Sequence, residues 1–139
     1  VGSGVGLPER CALKAVAFNQ LAEANPVLRE AKTMLEVEHK NLVRLLGLFL
    51  AASGTQYAVH LRMELCEAGD LQGLLSRVRG GDAPPSKSVV LRWTMEALSG
   101  LQELHRRGII HQDIKPFNLL LKGSQWSSAP VAYENLTLK

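Results

Sequence analysis

Apolar and polar residues change their period several times along this chain, and each change marks an element. Residues 11–18, CALKAVAF, alternate enough for a strand, with Lys14 the only charge in an apolar setting. From Asn25 the period lengthens. In NPVLREAKTMLEVEH, Val27, Ala31, Met34 and Leu35 recur every three or four residues and predict an amphipathic helix. Asn25 is the expected cap, and Pro26 suits the first helical position. Glu30 stands one turn from both Val27 and Met34, so it shares the apolar side. Two apolar runs, LVRLLGLFLAA (42–52) and YAVHLRMELC (57–66), flank the turn-like SGTQ and read as strands.

Beyond residue 66 the helical period dominates. EAGDLQGLLSRVRGGDAPPSKS holds a short helix followed by a Gly/Pro-rich loop. A longer helix is predicted from about Ser88 to Arg107, with Val90, Trp93, Ala97, Leu101 and Leu104 on one stripe and Gly108 as its stop. Next comes GIIHQDIKPFNLLL (108–121), in which Asp113, Lys115 and Asn118 lie between apolar residues. Burying such a polar cluster would be costly without a task. The NLLL within it reads as a short buried strand, GSQWSSAPVAYEN as a loop, and LTLK (136–139) as the start of another strand.

Composition narrows the class. The chain has 139 residues, 46% of them hydrophobic and 21% charged, which is globular rather than disordered. A formal charge of +3 with scattered Lys and Arg, and only 5% aromatics, argues against nucleic-acid binding. The longest apolar run, Leu45 to Ala52, is too short to span a bilayer, and no secretory signal opens the chain. Cys11 and Cys66 follow neither metal nor disulfide spacing, which favours a reducing, cytoplasmic setting.

Four motifs, in order, resemble those of a eukaryotic protein kinase domain of the serine/threonine type: CALK, REAKTMLEVEHKNLV, MELCEAGDL and HQDIKPFN. Each alone would be weak. The resemblance implies an α+β fold: an incomplete small lobe over 1–66, with an antiparallel sheet and one helix, and the first part of a helical large lobe over 67–139. It implies phosphoryl transfer from ATP with Mg²⁺ to a serine or threonine hydroxyl of a protein substrate. That reaction asks mainly for positioning and charge neutralisation.

By the same resemblance, Lys14 would neutralise the α/β-phosphates and Glu30 would hold its ammonium. Alone, a snorkelling lysine and a solvated glutamate would be the simpler account. Asp113 would orient the substrate hydroxyl or accept its proton, Lys115 would stabilise the transferring phosphate, and Asn118 would offer an oxygen to Mg²⁺. Met63 would guard the back of the adenine pocket. The backbone carbonyl of Glu64 and the N–H and carbonyl of Cys66 would pair with the base. Asp70 would approach the ribose, and Ala12 and Leu120 would sandwich the ring; plain core packing would explain Met63, Ala12 and Leu120 equally well. His39, Asn41 and His111 read as structural, the first two tying the helix to the strand after it.

Departures from the pattern matter as much. VGSGVG at the start looks like the glycine-rich phosphate loop, but too few residues separate it from Lys14 for two strands and a turn. GSGVGLPE reads better as the turn into the lysine strand, with the phosphate loop expected upstream and a compressed loop as the alternative. Gln112 stands where the family usually has Arg, which puts regulation by a phosphorylated activation loop in doubt. Asp113 is the last aspartate, so the family's Asp-Phe-Gly is expected just beyond Lys139, and LTLK as the returning strand of a lengthened hairpin. The expectation is therefore a kinase domain truncated at both ends and nearly inactive alone. A catalytically inactive, kinase-like binding or scaffold module is the alternative.

Overall fold

The computed structural model describes residues 10–53, 56–123 and 132–139, which fall into two compact units. One unit takes in Val1–Glu36 and Arg44–Leu65, the other Val37–Val43 and Cys66–Lys139. VGSGVG lies outside the described residues, as does most of GSQWSSAPVAYEN.

The first unit is a three-stranded antiparallel sheet with one helix. Its strands are β1 (Ala12–Phe18), β2 (Leu45–Ser53) and β3 (Gln56–Met63), in the spatial order β1-β3-β2. Alternation on β3 sends Val59 and Leu61 into the core, where they meet Val16 and Phe18 of β1 and Leu45 of β2. Ala58, His60 and Arg62 take the other face, where His60 stacks on Phe49 with ring centroids 4.7 Å apart. The register of β2 slips between Leu45 and Gly47, a bulge at the strand's entry.

Helix α1 (Asn25–Glu36) closes the core with Val27 and Ala31, and Met34 packs beside them. Two expectations fail here. Asn25 is not a cap: a 3-10 turn, Leu21–Ala24, runs straight into the helix, and Asn25 already has helical angles (φ −55, ψ −43). Burial of Ala24 in the same core explains why the winding starts early. Leu35 also leaves the stripe: it sits about 100° round the helix from Met34 and is exposed.

In the second unit, α2 (Leu71–Arg79) is capped by Asp70, whose Oδ1 accepts the Gly73 N–H at 2.8 Å. Asp70→Ala is expected to destabilise this unit by about 1 kcal/mol in urea unfolding, while Asp70→Asn keeps most of the bond. Helix α3 (Lys87–Arg106) is capped by Ser86 and buries Val89, Trp93, Gly100 and Leu104. The buried stripe thus begins at Val89 rather than at Val90, which is exposed. Gly108 (φ +72) ends α3: its N–H reaches the His105 carbonyl at 2.9 Å, and the Ile109 N–H reaches Leu104 O at 3.0 Å.

β4 (Leu121–Lys122) and β5 (Thr137–Leu138) pair antiparallel, so the returning strand expected in LTLK is present. A 3-10 turn, Tyr133–Asn135, precedes β5 and buries Tyr133, where the sequence pattern predicts only loop. Leu121, Leu136 and Leu138 join Trp93, Leu74 and Ala68 in the core of this unit.

Candidate active site

In the first unit, β1 presents Lys14 and α1 presents Glu30 one helical turn beyond Val27. The Lys14 Nζ donates to Glu30 Oε1 at 2.8 Å and to Oε2 at 3.2 Å. Both side chains are nearly half exposed (45% and 48%), so the pair adds at most about 1 kcal/mol to stability. Its value lies in holding an ammonium at a defined place rather than in stabilising the fold. Ala12 lies opposite Met63 across the β1–β3 ladder, and Met63 packs on the core edge. Glu64 is buried, and its Oε1 accepts the Arg44 N–H at 3.0 Å while its own N–H donates to Arg44 O at 2.9 Å. Its side chain therefore braces the segment entering β2, a role that its position in MELC does not suggest.

In the second unit, Asp70 and Leu120 lie on one short ladder, and Cys66 stands at the turn that leads into it. Asp70 and Leu120 form an antiparallel bridge, the Leu71 N–H donates to Leu119 O at 2.9 Å, and the Ala68 N–H donates to Leu121 O at 3.0 Å. The Cys66 carbonyl accepts the Gly69 N–H at 3.2 Å, closing the turn before Asp70.

Asp113, Lys115 and Asn118 converge. Lys115 Nζ lies 2.8 Å from Asp113 Oδ2, and Asn118 Nδ2 donates to Asp113 Oδ2 and to Asp113 O, both at 2.8 Å. A 3-10 turn opened by Pro116 brings Asn118 back to the aspartate. With both amide hydrogens so engaged, the side-chain oxygen of Asn118 is the atom left to meet a cation. The cluster is not buried, contrary to the expectation from its apolar neighbours: all three residues are exposed, and so are Ile110, Ile114 and Phe117. The cost of burying polar groups therefore says nothing about this site. Its hydrogen-bonded geometry does.

The Lys115 ammonium, then the Asn118 amide, hold the Asp113 carboxyl below the usual aspartate range. Because its folded pKa is depressed, this interaction favours the folded state above the usual aspartate range and is lost as pH falls through the lowered value. Lys115→Met is expected to move the Asp113 carboxyl titration, followed by ¹³C NMR, upward toward the ordinary range.

Gln112, just before Asp113, has φ +64, a left-handed conformation uncommon for a residue with a side chain. His111 Nδ1 accepts the Asp113 N–H at 3.3 Å. His39 Nδ1 accepts the Asn41 N–H at 3.1 Å, which closes a turn. Buried Asn41 does not serve mainly the strand that follows it; its Nδ2 donates to Leu138 O at 2.8 Å.

Among the described residues, no group of three or more His, Cys, Asp or Glu could hold a metal ion. The Asn118 side-chain oxygen is a single hard ligand, which would suit a Mg²⁺ carrying most of its own ligands better than a site built wholly from protein.

One unit is an antiparallel sheet with a helix bearing an ion-paired lysine, the other a helical unit with a loop joining Asp, Lys and Asn; together they make an α+β protein. The sequence profile described as "Protein kinase domain" matches residues 8–128, and the chain belongs to that family. It is similar to Serine/threonine-protein kinase SSK22 of Saccharomyces cerevisiae, 38% identical over 97 residues, which is 69% of this chain and 7% of that protein. It is also similar to MAP3K epsilon protein kinase 1 of Arabidopsis thaliana (32% over 111 residues, 78% of this chain, 8% of that protein). Serine/threonine-protein kinase ULK1 of Homo sapiens is 32% identical over 111 residues, 79% of this chain and 10% of that protein. The chain thus spans only a small part of these relatives' lengths. No helix among the described residues is long and apolar enough to cross a membrane.

Proposed function

We propose that these residues serve ATP-dependent serine/threonine phosphorylation, moving the γ-phosphate of ATP to a protein hydroxyl. The observation that carries this reading is the convergence of Lys115 and Asn118 on the Asp113 carboxylate. Asp113 orients the hydroxyl and takes its proton; its exposed carboxylate, held in place by Lys115 and Asn118, is positioned for both. Lys115 offsets charge that builds on the transferring phosphate. Asn118 would supply one oxygen to Mg²⁺, whose charge would offset that of the phosphates. Lys14, held by Glu30, grips the α/β-phosphates. Backbone groups of Glu64 and Cys66, with Ala12, Met63, Asp70 and Leu120, serve the adenosine end. Cys11 and Cys66, which follow neither metal nor disulfide spacing, fit a reducing, cytoplasmic location. Serine/threonine specificity is supported by the Lys-Pro pair at Lys115 and Pro116 and by the names of the relatives.

The test is phosphotransfer from Mg²⁺·ATP to a basic serine-containing protein. Transfer should depend on Mg²⁺ and be lost in Asp113→Asn. Transfer undiminished in Asp113→Asn would overturn this reading; binding of Mg²⁺·ATP without transfer would favour a catalytically inactive, kinase-like binding or scaffold module.

A further inference from the structure

β4 and β5 have two residues each, and residues 123–136 separate them. Strands so short, joined by so long a connection, do not hold their register by ladder bonds alone. Yet Leu120 and Lys139 exchange backbone hydrogen bonds at 3.0 and 2.8 Å, two residues from Asn118. Something else must fix the returning strand.

The fixing groups sit on α3. Arg92 forks to three carbonyls: Nη1 to Glu134 O at 3.0 Å, and Nη2 to Tyr133 O at 3.1 Å and Leu136 O at 2.9 Å. Trp93 Nε1 donates to the same Leu136 O at 3.1 Å. Glu96 Oε2 accepts the Leu138 N–H at 2.8 Å. Every partner is a main-chain atom, so the clamp sets position without dictating the side chains of 133–138. Charged groups make these bonds stronger than neutral ones.

We propose that Arg92 and Glu96 are positioning residues for Asn118, acting through β5 and β4. β5 locks Leu120, β4 is flanked on its other side by the 68–71 backbone, and Asn118 leads directly into this ladder. The proposal rests on the reading of Asn118 as a Mg²⁺ ligand, and the experiment separates the two.

The full chain is compared with Glu96→Ala, Glu96→Gln and Arg92→Lys, with Thr94→Ala on the exposed side of α3 as a control. Backbone amide exchange at Leu120 and Lys139 is read first, by NMR. Glu96→Ala and Arg92→Lys should speed it about 10-fold, while Glu96→Gln, still an acceptor, should stay near wild type. The affinity for ATP is then measured with and without Mg²⁺. The gain in affinity that Mg²⁺ brings should shrink in Glu96→Ala and return in Glu96→Gln, whereas a general loss of stability would leave that ratio unchanged. Unchanged exchange at Leu120 and Lys139 overturns the proposal whatever the nucleotide does. If exchange rises but wild type gains nothing from Mg²⁺, the clamp stands and the metal role of Asn118 falls. Should Glu96→Ala fail to fold, Arg92→Lys carries the same comparison.

Discussion

Asp113→Asn is expected to lower kcat for phosphotransfer by about 10²–10⁴-fold in any phosphotransfer-competent protein that carries these residues, with little change in KM for ATP. Asparagine keeps the size and can still accept from Lys115 and Asn118, so the loop should survive. It cannot take a proton. The split between kcat and KM distinguishes loss of the base from loss of the fold, because a collapsed loop would disturb Asn118 and weaken Mg²⁺·ATP as well. A fall in KM affinity as large as the fall in kcat would mean that Asp113 holds the loop together rather than serving the chemistry.

Gly100→Ala should destabilise the second unit by about 1–3 kcal/mol in denaturant unfolding. In an exposed helix interior the same change would add stability, by roughly 0.5–1 kcal/mol. Here a Cβ would lie 2.8 Å from the Asn41 carbonyl oxygen and 3.2 Å from Leu42 Cδ2. The first of these is backbone, in a turn already closed by His39. It cannot swing aside as a long side chain could. The clash therefore outweighs the helical gain, and the turn at 39–42 must separate from α3. Asn41 would then lose its grip on Leu138 O. A stabilised variant would show that this segment yields freely.

Much of this was legible in the sequence because the information was local. The alternation of CALKAVAF shows β1, the spacing of Val27, Ala31 and Met34 shows α1, and Gly108 marks the end of α3. Lys14 and Glu30 could be paired only through the resemblance, since 16 residues separate them and neither alone departs from an ordinary surface charge. What the pattern misses is tertiary. Asn25 fails as a cap because Ala24 is drawn into the core and starts the winding early. The α3 stripe shifts from Val90 to Val89 because Trp93 and Gly100 set the helix's rotation against the 39–42 turn and Leu136. The loop of Asp113, Lys115 and Asn118 is exposed despite its apolar neighbours in sequence, because Ile110, Ile114 and Phe117 are themselves exposed in space. The bonds of Arg92 and Glu96 join residues more than 40 positions apart, which no local period records.

The account stands or falls on whether these side chains handle a magnesium nucleotide. Isothermal titration of the chain with ATP, with and without Mg²⁺, tests this directly against Lys14→Met and Asn118→Ala. Binding should require Mg²⁺ for full affinity, and each substitution should weaken it by about 10-fold or more, roughly 1.4 kcal/mol. Wild-type affinity retained by both variants, or binding indifferent to Mg²⁺, would contradict it.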